Sequence, residues 1–149
     1  MILLSRRGQL ALAAVADIAI HARPTPVAAK ALAARLELPP RRLESLLQDL
    51  VHANILKGVR GPRGGYELAR ERRRITAASI LRAVSNETGG EPGEAPDCRL
   101  VRQVIAPIVE AAGMVFLDKL ETITVDDICR RADDLKLYEE KGVGADFAI

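Results

Sequence analysis

The apolar positions in the first third of the chain recur with a helical period and are broken by prolines. This period predicts a first helix over 8–22, ended by Arg-Pro-Thr-Pro, and a second over 27–36, ended by Glu-Leu-Pro-Pro. A third helix is expected to begin at Pro39 or Pro40 and to end near Asn54. One face of this third helix carries an apolar stripe made of Leu43, Leu46, Leu47, Leu50 and Val51.

Beyond Asn54 the pattern changes from helical to extended. The short runs ILKGVR and YELAR are partly alternating, and a Gly-Pro-Arg-Gly-Gly segment separates them. Two such runs joined by a glycine-rich loop predict a β-hairpin. A helix then resumes after Thr76, which is a suitable N-cap.

The second half of the chain starts with a change of composition. Residues 86–97 are rich in glycine, proline and acids, which is typical of a flexible linker. A long helical pattern follows from Cys98 to Leu120, and Pro107 and Gly113 interrupt it. We therefore expect this helix to be kinked or to consist of two segments.

A short closing helix is predicted after the long one, because Thr124 and Asp127 have the spacing of a capping box. The expected organisation is a domain over 1–85, the linker, a dimerisation helix with its closing helix over 98–135, and a poorly ordered tail over 136–149. The predicted fold is mainly α with a small β-hairpin.

Composition supports a helical core and a cytoplasmic location. Hydrophobic residues make up 48 % of the chain but aromatic residues only 3 %, so the core must consist largely of Ala, Leu, Val and Ile. No apolar window is long enough to span a membrane, and charged residues interrupt the apolar N-terminal stretch, which disfavours a secretory signal. Two cysteines do not make a disulfide framework.

The formal net charge of +2 conceals a strong asymmetry. Residues 1–74 carry 14 Lys and Arg against 6 Asp and Glu, whereas residues 75–149 carry 8 against 14. Such a division indicates a polyanionic partner on one side of the molecule, although a solvated basic face would give the same count.

The glycine-rich loop allows three interpretations. A phosphate-binding P-loop is disfavoured, because no Lys-Ser/Thr pair follows the glycines and a strand comes next instead of a helix. The loop could be a plain hairpin turn. It could also be the tip of a wing, a hairpin that lies along nucleic-acid backbone beside a helix-turn-helix. The order of helices and hairpin favours this winged helix-turn-helix.

In that arrangement the third helix enters the major groove and the wing and N-terminus contact phosphates. Arginine and glutamine can bond base edges, so the third helix offers Arg41, Arg42, Ser45 and Gln48 as reading residues. Phosphate contacts are expected from Ser5, Arg6, Arg7, Lys57, Arg60 and Arg63.

These stretches resemble the Rrf-two (Rrf2) family of bacterial winged helix-turn-helix transcriptional regulators. The similarity lies in GQLALAAVADIAIHA, in the unit from VAAKALAARLELPP to GVRGPRGGYELAR, in ITAASILRAV and in FLDKLETITVDDI. It covers roughly residues 1–130. The resemblance implies a homodimer that is joined through the long helix and binds a roughly palindromic operator on double-stranded DNA. We expect a repressor that responds to a small-molecule, redox or protein effector.

One departure from the family pattern concerns cofactors. Many members hold an iron–sulfur cluster with three cysteines between wing and dimer helix, whereas this chain has only Cys98 there. Cys98 stays a candidate cluster ligand or redox thiol, but a cluster is disfavoured, and Cys129 is expected to be a buried structural cysteine. His21 and His52 are each alone, so no metal site is expected.

Two alternatives stay open at this stage. The apolar long helix could pack on its own domain rather than on a second copy. The winged helix could serve as a protein-interaction or enzyme-regulatory module without DNA binding. A small-molecule enzyme is the least favoured class, because no nucleophile–base pair or carboxylate constellation is visible.

Overall fold

Three helices open the fold, as the apolar period predicts. The computed structural model describes residues 5–85 and 98–137. Helices α1 (Arg6–His21), α2 (Ala29–Arg35) and α3 (Pro40–His52) come first. Helix α1 starts two residues earlier than predicted, because the Ser5 hydroxyl accepts a hydrogen bond from the Gly8 amide at 3.0 Å and so caps the helix.

A two-stranded hairpin follows α3. Strands β1 (Leu56–Val59) and β2 (Gly65–Leu68) pair antiparallel, with Leu56 opposite Leu68. Val27 adds a single bridge to Tyr66, with backbone hydrogen bonds of 2.8 and 2.9 Å. This pairing holds Val27 in extended backbone and explains why α2 begins after it rather than at it.

The close approach of Val27 to β2 requires a glycine at position 65. Its φ is +155°, and a Cβ built there would lie 2.2 Å from the Val27 carbonyl oxygen. A side chain at this position would therefore push Val27 away from β2. At least one of the loop glycines thus serves the close approach of two backbones within the fold.

The remaining helices are α4 (Ala77–Val84), α5 (Ala106–Glu121) and α6 (Val125–Asp134). Thr76 caps α4 as predicted, since its side chain accepts a hydrogen bond from the Ser79 amide at 3.1 Å. The capping box of α6 is also confirmed, because Thr124 and Asp127 bond each other's backbone amides at 3.1 and 2.9 Å.

The long helix is irregular at one of the two predicted positions. A π-helical segment, Val101–Ile105, runs directly into α5. Pro107 falls in the first turn of α5 and has no N–H to continue the bonding of the π-helical segment, in which the Ala106 amide donates to the Val101 carbonyl oxygen. Gly113 lies inside α5 without interrupting it.

Among the described residues, one hydrophobic core lies between α1, α2, α3, α4, the hairpin and α6. The predicted stripe of α3 faces it, with Leu43, Leu46, Leu47 and Leu50 fully buried. Val125 and Cys129 of α6 belong to the same core. The prediction that Cys129 is buried is thus confirmed.

Helix α6 is attached to the N-terminal domain by backbone as well as side chains. The Ala77 amide donates to the Ile123 carbonyl oxygen and the Val125 amide to the Ile75 carbonyl oxygen, both at 2.8 Å. Arg82 of α4 also forms a 2.9 Å ion pair with Glu121 at the end of α5. The sequence-based division separates α6 from residues 1–85, whereas the structure packs it into their core.

The predicted linker over 86–97 lies outside the described residues, as does the tail predicted over 136–149 from residue 138 onward. Among the described helices, none is long and apolar enough to cross a membrane.

Candidate nucleic-acid interface

Helix α3 presents a polar face opposite its buried stripe. Arg41, Arg42, Ser45 and Gln48, the residues predicted to read bases, are all exposed on it. Pro39 occupies the N-cap position of α3 and Pro40 is its first residue, which places both arginines in the first helical turn. The face therefore combines guanidinium, hydroxyl and amide groups, which between them donate to and accept from base edges.

Glu44 lies on the same exposed face and was missed by the sequence reasoning. A helical projection of about 100° per residue places it about 40° beyond Gln48, at the edge of the face, so the period alone could have identified it. Its carboxylate is an acceptor, the group that pairs with the amino group of cytosine.

The hairpin tip carries the two arginines of the glycine-rich loop. Arg60 is exposed directly before, and Arg63 within, a turn in which the Gly64 amide donates to the Gly61 carbonyl oxygen at 2.9 Å. Lys57 is also exposed, but its ammonium lies 3.0 Å from Glu67 on the facing strand. The tip is thus cationic, while Lys57 shares its charge with a carboxylate across the hairpin.

The N-terminal residues divide into two kinds. Ser5 and Arg6 are exposed at the start of α1. Arg7, in contrast, forms an ion pair with Asp49 of α3 and donates to the Ser45 hydroxyl and the Val84 carbonyl oxygen, each at 3.3 Å. The structure thus directs the Arg7 guanidinium into the protein.

A buried carboxylate on α1 fixes helix α2. The Asp17 side chain is only 1 % exposed and accepts bidentate hydrogen bonds from Arg35 of α2, at 2.9 Å from Nε to Oδ2 and 2.8 Å from Nη2 to Oδ1. His21 Nδ1 lies 2.9 Å from the carbonyl oxygen of Asp17. This pair holds α2, and through α2 it positions α3.

A second buried carboxylate lies on α6. Asp126 faces Arg72, whose Nε is 3.0 Å from Oδ1, and Arg130, whose Nη2 is 2.7 Å from Oδ2. Its hydrogen bond and charge raise the pKa of Arg130. These side-chain contacts attach α6 to the segment between β2 and α4, in addition to the backbone hydrogen bonds described above.

The two thiols lie in different environments. Cys98 is exposed ahead of the π-helical segment, whereas Cys129 is buried on α6. Burial raises the pKa of the Cys129 thiol and keeps it protonated. Within residues 5–85 and 98–137, no three His, Cys, Asp or Glu side chains cluster as metal ligands would. Clusters require several converging thiolates, so these residues do not fit an iron–sulfur centre.

The long helix leaves most of its apolar residues in contact with solvent. The exposed apolar residues on this helix are Leu100, Val104, Ile105, Ile108, Val109, Met114 and Val115. Phe116, Leu117 and Leu120 are partly buried towards the domain. An exposed apolar surface of this extent is typical of an interaction face.

Comparison with known proteins agrees with this architecture. T. potens IscR has 31 % sequence identity and a TM-score of 0.66, with 89 % of this chain and 90 % of that chain covered. CymR (YrzC), the global cysteine regulator of B. subtilis, has 26 % identity and a TM-score of 0.67, with 88 % and 98 % covered.

Sequence matches point the same way. The protein slr0846 of Synechocystis sp., named as an HTH-type transcriptional regulator, is 28 % identical over 141 residues, which is 94 % of this chain and 96 % of that protein. Residues 4–131 match the family described as Rrf2, iron-dependent transcriptional regulator. The winged helix, its exposed cationic face and these relatives lead to one conclusion: the chain belongs to the Rrf2 family and is a DNA-binding transcriptional regulator.

Proposed function

We propose that this regulator reads a specific operator with α3 and anchors itself with the wing and the start of α1. The observation that supports this is the exposed set of cations on α3 and on the hairpin tip, within a scaffold whose relatives regulate transcription. Basic residues placed along one face supply the salt-dependent part of DNA affinity.

The residues of α3 differ in what they can recognise. Arg41 and Arg42, in the first turn, suit guanine O6 and N7, and Gln48 suits the N6 and N7 edge of adenine. Glu44 accepts from cytosine N4, and Ser45 reaches either kind of edge. Together they provide the sequence preference, which phosphate contacts do not.

The phosphate contacts come from Ser5, Arg6, Arg60 and Arg63, with Lys57 in a supporting role. Lys57 already pairs with Glu67 across the hairpin, so its attraction for phosphate is partly offset. Arg7 is removed from this group, because its guanidinium is engaged by Asp49, Ser45 and Val84.

We further propose a homodimer built through the long helix. Ile108 and Val115 are 62 % and 70 % exposed, and their neighbours extend one apolar surface along the helix. A two-fold axis through this surface would cover it and set two copies of α3 about 34 Å apart, one turn of B-DNA. The matching operator is then roughly palindromic, and a dimer seated on promoter DNA represses by occupying it.

An effector acts on this dimer without an iron–sulfur centre, since the two thiols of the chain lie on separate elements. The junction of α5 with α4, held by Arg82 and Glu121, is the place where a signal changes the distance between the two reading helices. The protein acts in the cytoplasm, where its DNA lies, and catalyses no reaction.

Operator binding by two single variants tests the reading face. Arg41→Ala should relax sequence preference at one base pair, while Arg63→Ala should weaken binding to all sequences and flatten the salt dependence by about one unit of slope. Arg131→Ala removes one exposed charge from α6 and serves as the control. If both variants bind like the control, α3 and the wing are not the interface.

The same titrations separate the proposal from a protein-interaction module. A winged helix that works only as an adaptor has no salt-dependent affinity for duplex DNA. Measurement against genomic fragments at two salt concentrations distinguishes the two functions directly.

A further inference from the structure

Arg7 joins three elements through one side chain. Its Nη2 pairs with Asp49 Oδ2 and its Nη1 donates to Ser45 Oγ, both on α3, while its Nε donates to the Val84 carbonyl oxygen at the end of α4. The Arg7 side chain is 25 % exposed and that of Asp49 is 36 % exposed. The fork of a guanidinium can serve three acceptors at once, which an ammonium cannot do at these fixed directions.

The contact with Asp49 has an electrostatic consequence for DNA binding. Asp49 follows Gln48 and lies one turn beyond Ser45, so its carboxylate borders the reading face. A carboxylate there repels phosphates unless a cation balances it. Arg7 provides that cation from within the protein.

The contact with Ser45 has a chemical consequence. A hydroxyl has one proton to donate and two lone pairs to accept with. Since Arg7 donates to the Ser45 oxygen at 3.3 Å, it occupies an acceptor lone pair, and the hydroxyl keeps its proton to donate to another group. Ser45 then acts as a donor towards acceptors such as guanine O6, guanine N7 or thymine O4.

We propose that Arg7 is a positioning residue for sequence recognition: it neutralises Asp49, sets Ser45 as a hydrogen-bond donor and ties both to the end of α4. This role rests on the proposed operator binding by α3. It replaces the direct phosphate contact that the sequence alone suggests for Arg7.

The Val84 contact extends the role to signalling. Val84 is the last residue of α4, just before the segment that leads to the long helix. Any movement of the α4 end therefore changes the direction from which Arg7 approaches Ser45 and Asp49. Arg7 thus connects the base-reading surface to the part of the chain that carries the dimer helix.

The experiment uses the full chain and a duplex that the wild-type protein selects from a random-sequence library. Affinity is measured at several salt concentrations for Arg7→Gln, Asp49→Asn, the double variant, Arg7→Lys, Ser45→Ala and the control Arg131→Gln. Single base-pair changes across the duplex report sequence preference, and thermal unfolding reports whether each variant is folded.

Positioning predicts a distinctive pattern. Arg7→Gln should lose about fivefold in affinity, because residues in one hydrogen-bonded network are energetically coupled. Asp49→Asn should not bind more tightly than wild type, and adding it to Arg7→Gln should restore most of the loss. Arg7→Lys should keep affinity for random DNA but lose preference at the base pair that Ser45→Ala also affects.

A direct phosphate contact predicts the opposite pattern. Asp49→Asn would then release Arg7 and strengthen binding, the double variant would stay as weak as Arg7→Gln, and Arg7→Gln would flatten the salt slope by about one unit. Any of these results would overturn the positioning role while leaving operator binding intact. If the wild-type chain selects no duplex at all, the proposed function itself fails, and with it the role of Arg7.

Discussion

Breaking the buried ion pair between Asp17 and Arg35 should cost a large share of the stability of the domain. Arg35→Met removes the guanidinium but keeps a side chain of similar length over the same surface. The Asp17 carboxylate, 1 % exposed, then loses the three hydrogen bonds that it accepts from Arg35 at 2.8, 2.9 and 3.2 Å. An uncompensated buried charge of this kind costs about 3–5 kcal/mol.

The lower end of that range applies here. The Arg35 side chain is 29 % exposed, so water reaches the vacated position and partly solvates Asp17. His21 also stays close, with Nδ1 3.4 Å from Oδ1. We expect a loss of about 3 kcal/mol, which in a chain of this size lowers the unfolding midpoint by roughly 6–12 °C.

Urea unfolding monitored by far-ultraviolet circular dichroism measures this loss. Arg41→Met, a matched change at an exposed position of α3, should stay within about 0.5 kcal/mol of wild type. The double change Asp17→Leu with Arg35→Met should recover much of the stability, because it removes both charges together. A loss below about 1 kcal/mol for Arg35→Met would refute the idea that this pair holds α2 on α1.

Four further predictions concern other parts of the molecule. Ile108→Glu should convert the proposed dimer to monomers in sedimentation equilibrium while circular dichroism still shows a folded chain, because its side chain is 62 % exposed on α5. Thr124→Ala should cost about 1 kcal/mol in urea unfolding as the cap of α6 is lost. The hydrogen bond from the Thr124 amide lowers the pKa of the Asp127 carboxyl below its usual 3.8, so this contribution is present above that pH and is lost as the pH falls through the lowered value. Asp127→Asn should therefore make the free energy of unfolding depend less on pH in the acid range. An unchanged pH dependence would contradict the capping role. Cys98 should react with iodoacetamide in the folded protein at neutral pH, while Cys129 should react only after unfolding. Mass spectrometry of the labelled chain measures both reactions.

Local signals explain why much of the fold is predictable from the sequence. The 3.6-residue period on α3 predicts which leucines are buried, and Thr76 and Thr124 identify the starts of two helices because caps involve neighbours in sequence. Burial of Cys129 follows from its apolar face in the same way.

Contacts between distant positions are not predictable in this manner. Arg7 and Asp49 are 42 positions apart, and in sequence Arg7 looks like its exposed neighbour Arg6. The place of α6 in the core depends on pairing between residues 75–77 and 123–125, which no periodicity reveals. Helix α2 likewise starts late because Val27 pairs with Tyr66, a tertiary interaction that overrides local propensity.

The anchoring of α5 at its C-terminal end has a consequence for how operators and regulators change together. Backbone pairing beside Thr124 and the Arg82–Glu121 ion pair fix the direction in which the long helix leaves the domain. In the proposed dimer, the separation of half-sites is then set by this joint and by the length of the helix. In that arrangement a substitution at Glu121 that removes the ion pair should change which half-site spacing the regulator prefers.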